Sequence, residues 1–189
     1  MSTIRSTGLL AAALLCASLA VAQENEGAQQ SESAQRKTEI DAAAQATLDK
    51  LFEQNPNARG LYDKAAGYAA FTATKAGFLV TGGGGTGVAV NKSTAARKYM
   101  RMGTGGIGLG IGAQRYDLIV LFEDEAHLNR FVEGGWDASA SAQAAAGSDG
   151  VTLSSSFVGG VAVFQLTDRG LMAQADVSGT RFWVIDDLN

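Results

Sequence analysis

The chain holds one cysteine, one proline and one histidine in 189 residues, and each scarcity closes off a class of chemistry. Cys16 sits in an apolar N-terminal stretch, so a chain processed beyond it has no disulfide, thiolate nucleophile or cysteine metal site. His127, with no cysteine to join it, makes no zinc site. Beyond residue 22 no apolar run is long enough for a membrane span, so none is expected in the mature chain. The 24 glycines follow no G-X-Y period, which excludes a collagen-like triple helix.

The N-terminal stretch itself reads as a secretory signal. "MSTIRSTGLLAAALLCASLAVA" has Arg5 in its n-region, an apolar h-region from Leu9, and small residues at Ala20 and Ala22. Cleavage is expected after Ala22, which places the protein in the periplasm or outside the cell. Leu15 stands where a lipobox wants a small residue before Cys16, so a lipoprotein anchor is not expected. Residues 23–33, "QENEGAQQSES", are polar and read as a disordered leader. Residues 34–189 then read as a single domain held by its core.

Charge is unevenly spread. Residues 64–116 carry seven bases and no acid: Lys64, Lys75, Lys92, Arg97, Lys98, Arg101 and Arg115. Residues 117–189 carry eleven acids against three bases. A cationic block inside an acidic chain points to an anionic partner, or else to a solvated face balanced by the acidic segments.

Hydrophobic periodicity places the elements. Ile40, Ala44, Leu48 and Leu51/Phe52 recur at helical spacing, and Asn55-Pro56 ends that helix. A short second helix is predicted over residues 58–66, stopped by Gly67. "GYAAFTA", "KAGFLVTG", "TGVAV", "RKYMRM", "GGIGLGIGAQ" and "YDLIVLFE" read as successive strands with glycine-rich turns. Asp124 caps a helix with Leu128, Phe131 and Val132 on its apolar side, ended by Gly134-Gly135. "SSFVGGVAVFQL", "GLMAQADV" and "TRFWVI" return to strand. The fold class is α+β: mainly antiparallel sheet, as a curved sandwich or partial barrel, with an N-terminal helix pair and one inserted helix.

The glycines do not make a nucleotide site. Gly103, Gly105 and Gly108 fit G-x-G-x-x-G, but residues 106–113 alternate with period two and open no helix. "GGGGTG" lacks the Lys-Ser/Thr of a phosphate-binding loop. A bare glycine face on a strand implies close approach by a packed element or a ligand. Catalysis has little to stand on. Ser154, Ser155 or Ser156 with His127 gives a conceivable esterase, without a G-x-S-x-G elbow. Glu123, Asp124 and Glu125 lack calcium-loop spacing and suit a helix N-terminus better.

From about Asp41 onward the chain resembles the SYLF-domain family. "LYDKAAGYAAF" resembles its helix-to-strand entry and "KAGFLVTGGGGTGVAV" its lysine-glycine strand. "GIGLGIGAQRYDLIVLF" resembles its central strand pair, "FVEGGWDASASA" its helix end, and "GLMAQADVSGTRF" its closing hairpin. Thr81, Gly110 and the missing proline after Phe71 depart from the usual pattern and leave the subfamily open. The resemblance implies phospholipid binding, with phosphoinositides in eukaryotic members and actin binding in yeast ones. For an exported protein it implies an anionic phospholipid or membrane surface as partner. No cofactor, metal or nucleic acid is expected, and no catalytic activity. Lys75, Lys92, Arg97, Lys98 and Arg101 are the candidate lipid-binding residues, with Tyr99, Met100 and Met102 between them. The alternatives are an interaction protein that meets an acidic protein or envelope polymer and, more weakly, the serine esterase.

Overall fold

The computed structural model describes residues 7–77, 80–107, 112–134, 156–167, 170–171 and 179–189. The chain falls into two units, Met1–Thr38 and Glu39–Asn189. Helix α1 (Thr7–Gln54) enters both. Residues 23–33, expected as a disordered leader, have helical backbone, in keeping with their alanine, glutamine and glutamate content. Among the described residues no helix is long and apolar enough to cross a membrane.

In the second unit the heptad-like spacing has its intended effect. Ile40, Ala44, Leu48 and Leu51 are all buried on one side of α1. The break after Gln54 serves two helices. Asn55 N–H donates to the Leu51 carbonyl at 2.7 Å, and the Asn55 side chain accepts from Asn57 N–H at 3.2 Å. Asn55 is therefore the N-cap of α2 (Pro56–Lys64), with proline in the first turn where its missing N–H costs nothing. The helix starts two residues before the predicted Ala58 for that reason. Gly67 does not stop it. Ala65 leaves the helix in extended backbone, and Gly67 opens the first strand, where a Cβ would meet the Val90 carbonyl at 2.6 Å and Leu128 at 2.7 Å.

Seven strands form one antiparallel sheet. They are β1 (Gly67–Gly77), β2 (Val80–Asn91), β3 (Arg97–Ile107), β4 (Gly112–Phe122), β5 (Val161–Thr167), β6 (Gly170–Leu171) and β7 (Thr180–Val184). Helix α3 (Glu125–Val132) sits between β4 and β5 in sequence. The order is β6-β5-β4-β1-β2-β3-β7, and the sheet is not closed among the described residues. The α+β architecture is as expected. The strands are longer than predicted: "GGGG" lies inside β2 rather than in a turn, and "RKYMRM" continues through Gly103–Gly106 as one strand. Residues 108–111 and 172–177, read as strand from sequence, lie outside the described residues.

Both faces of the sheet are packed. One face carries Tyr68, Ala70, Val88, Tyr99, Ile119, Leu121 and Phe164 against the buried side of α1 and α2. The other carries Phe71, Met100, Met102, Leu118, Val120 and Phe122, joined by Leu128 and Phe131 of α3. Phe131 meets Phe71, Phe122 and Phe182 with ring centroids 5.0–6.2 Å apart.

The glycines of β2 divide by face. On the α3 face, a Cβ at Gly83, Gly85 or Gly87 would run into the β1 carbonyls of Thr74, Thr72 or Ala70. On the helix face Gly82 has nothing within 4 Å of that position. Gly85→Ala is therefore expected to cost about 1–3 kcal/mol through forced backbone shifts. Gly82→Ala should stay within about 0.5 kcal/mol of the parent. Thermal unfolding of the two variants checks the contrast.

Candidate functional site

The structure separates the five predicted basic residues. Lys92 is committed to holding α2. Its ammonium donates to the carbonyls of Tyr62 (2.6 Å), Ala65 (3.1 Å) and Asp63 (3.3 Å), and it lies 4.4 Å from the Tyr62 ring centroid. It thus closes the C-terminal end of α2, where a cation also meets the negative end of the helix dipole. Arg97 pairs with Asp41 of α1 at 2.7 Å. The same Asp41 accepts from the Tyr99 hydroxyl at 3.1 Å. Burial, then the bond to Asp41, pushes the Tyr99 phenol above its usual value.

Strand alternation assigns the rest. Residues opposite one another in paired strands share a face. Tyr99 belongs to the helix face, so Arg97 and Arg101 do too, while Lys98 lies on the opposite face. Lys75 is opposite Gly83 and shares the face of Ala73 and Phe71. Of the five, Arg97 and Arg101 share a face, and Arg101 stands beyond the ion pair.

Arg101 leads to a group of residues brought together by the ladder. One row across the helix face reads Trp183, Arg101, Thr86, Thr72, Asp117. The next reads Arg181, Gly103, Gly84, Thr74, Arg115. Arg101, Arg115 and Arg181 are exposed, as are Thr74, Thr86 and Gly84. Among the described residues none of the three arginines is in an ion pair. Trp183 is 47% exposed, the one large hydrophobic side chain so placed among the described residues. Its indole lies over Gly103, where a Cβ would come within 2.9 Å of the ring. The result is an open shelf with three guanidinium groups, threonine hydroxyls, bare glycine backbone and an indole at one side.

Sequence reading missed Arg181 and Trp183 because they come from the last strand, inside the acidic third of the chain. Only the β3–β7 pairing brings them beside Arg101. The alternation of β4, in which Arg115 and Asp117 share a face with Ile119, was the signal available for Arg115.

Where α1 meets the shelf there is a groove of about 300 Å³. It is lined by Ala43, Ala46, Thr47 and Lys50 of α1 and by Thr72, Arg115 and Asp117 of the sheet. Lys50 pairs with Asp117 Oδ2 at 3.2 Å, and the Thr72 hydroxyl donates to Asp117 Oδ1 at 3.0 Å.

The residues considered for catalysis have structural partners. Asp124 accepts from the His127 backbone N–H at 2.9 Å, and its Oδ1 is 2.8 Å from His127 Nδ1. These bonds, the backbone one first, hold the Asp124 carboxyl below its usual range. Glu125 is lowered by bonds from Ser93 and then Asn91. No serine hydroxyl bonds to His127 among the described residues. Ser154 and Ser155 lie outside them. Among the described residues no three of histidine, cysteine, aspartate and glutamate cluster as a metal site would require.

Fold and shelf together describe a β-rich α+β domain with an exposed arginine-bearing face. Residues 103–189 match the Ysc84 family, described as "Las17-binding protein actin regulator". The chain is also similar to "Beta cell expansion factor A" of Aeromonas veronii, with 38% identity over 149 residues. That match takes in 79% of this chain and 57% of the relative, so the chain spans little more than half the relative's length. The SYLF resemblance drawn from the sequence is borne out: the matched segment, from β3 to the C-terminus, is of the Ysc84 (SYLF) family.

Two outcomes follow from the side-chain assignments. Lys92→Met should destabilise the protein by about 1.5–3 kcal/mol, the range for hydrogen bonds to a charged group. Lys98→Ala should stay within about 0.5 kcal/mol; urea unfolding distinguishes them. Asp124, lowered in the folded state, stabilises above its ordinary pKa of 3.8 and loses that contribution as pH falls through its folded value. Asp124→Asn should therefore flatten the stability profile below pH 3.8, measured as melting temperature against pH.

Proposed function

We propose that the protein is a non-catalytic periplasmic module that binds anionic phospholipid at a membrane surface, with the arginine shelf as its contact face. The observation that carries this reading is the convergence of Arg101, Arg115, Arg181 and the exposed Trp183 on one face of the sheet. Guanidinium groups that make no ion pair among the described residues suit bidentate binding of phosphate oxygens. An indole with an apolar body and a polar N–H suits the headgroup zone. Glycines at 82, 84 and 105 keep the intervening surface low, so a flat partner approaches the backbone closely. The apolar leader with Arg5 and Ala20-Val21-Ala22 supports export by cleavage after Ala22. Lys75 and Lys98 have no part in this face, and Lys92 stays with α2.

A second reading takes its support from the family's description, which names a protein partner. In it, the shelf meets an acidic protein or envelope polymer. Vesicle co-sedimentation separates the two. Residues 23–189 should pellet with phosphatidylglycerol vesicles, not with neutral phosphatidylcholine, and less so at high salt. Each arginine near an anionic surface is worth about 1 kcal/mol. Replacing Arg101, Arg115 and Arg181 together by alanine should therefore weaken binding by about 100-fold. Unchanged binding by the triple variant would overturn the assignment of this face. Absence of binding to any vesicle would leave the protein-partner reading.

A further inference from the structure

We propose that the groove beside α1 receives a zwitterionic headgroup of the phosphoethanolamine type: a primary ammonium and a phosphate joined by a two-carbon spacer. This rests on the membrane reading above and adds a headgroup preference to it. The groove holds fixed charge of both signs, whereas the exposed charged side chains of the shelf are the three arginines. Asp117 is its anion, with a side chain only 16% exposed. Each Asp117 oxygen already accepts one bond, from Thr72 on Oδ1 and from Lys50 on Oδ2. A carboxylate offers about four acceptor sites, so capacity remains for the N–H donors of an ammonium group.

The phosphate position is set by Arg115. It is two residues from Asp117 on the same face of β4, a separation of about 7 Å along the strand. Its guanidinium is exposed and makes no ion pair among the described residues. Lys50 reaches the same groove from α1 and adds a second cation. Ala43 and Ala46 form the helix wall with methyl groups, which contact a methylene spacer without filling the space. The arrangement also discriminates. A quaternary ammonium has no N–H to give Asp117, and an anion without an ammonium leaves the carboxylate opposed by like charge.

The test compares vesicles of equal phosphatidylglycerol content, made up with either phosphatidylethanolamine or phosphatidylcholine. Residues 23–189 should bind the ethanolamine vesicles at least threefold more tightly. Asp117→Asn should abolish that preference and leave binding to phosphatidylglycerol vesicles intact. Ala46→Leu, which fills the groove from an exposed helix position, should also abolish it. Equal binding to the two vesicle types, with binding to phosphatidylglycerol retained, overturns the groove proposal and leaves the shelf assignment standing. A preference that survives in both variants overturns it too, since it then comes from bilayer packing. If no vesicle is bound, the membrane reading falls and titration with soluble phosphoethanolamine decides the groove alone. Chemical shift changes that Asp117→Asn removes support it, and none, or equal changes with phosphocholine, overturn it.

Discussion

β2 runs so close to β1 that alternate positions have no room for a Cβ, and much else in the structure is arranged around that contact. Gly83, Gly85 and Gly87 face the β1 carbonyls on the α3 side. A strand built this way gives up side-chain packing and the conformational economy of larger residues. It gains a close backbone approach that lets the aromatic cluster of Phe71, Phe122, Phe131 and Phe182 pack over the same face. The cost falls on one half of the sheet. Toward the Tyr68–Asn91 end the strands carry valine, alanine and tyrosine. Toward the glycine end they have little to offer a covering helix.

The C-terminal part of α1 follows that division. Its buried residues pack where the strands carry side chains, and two polar contacts hold it there. At one, Asp41 takes both Arg97 and the Tyr99 hydroxyl. At the other, Lys50 reaches Asp117, itself steadied by Thr72. Both pairs are partly exposed, so each contributes little stability alone; their effect is to fix where the helix lies. Beyond that line the shelf stays open. Among the described residues its arginines make no ion pair, whereas Lys92 and Arg97 have been absorbed into the fold.

How far the sequence discloses this depends on whether the information is local. Ile40, Ala44, Leu48 and Leu51 announce a buried helix stripe by spacing alone, and all four are buried. Asp124 and Gly134 mark both ends of α3, and Gly134 has the positive φ of +78° expected of a helix terminator. Strand existence was legible, but strand length was not. "GGGG" suggests a turn because glycine is common there, yet β2 continues through it because β1 lies against it. The site was less legible still. A run of bases along the chain says nothing about alternation between faces, which sends Lys98 away from Arg97 and Arg101. Nor does it foretell that Lys92 will find three carbonyl groups at a helix end. The contribution of β7 is wholly non-local, set by pairing residues some eighty positions apart.

Whether the open half of the helix face meets a membrane is most directly read from Trp183. The chain has two tryptophans, so a Trp136→Phe variant makes Trp183 the sole indole reporter. With phosphatidylglycerol vesicles its emission should shift to the blue and become protected from aqueous quencher, and it should do neither with neutral vesicles. If the protein binds the anionic vesicles while Trp183 emission and quenching stay unchanged, the membrane is met by another surface, and the account of the shelf is wrong.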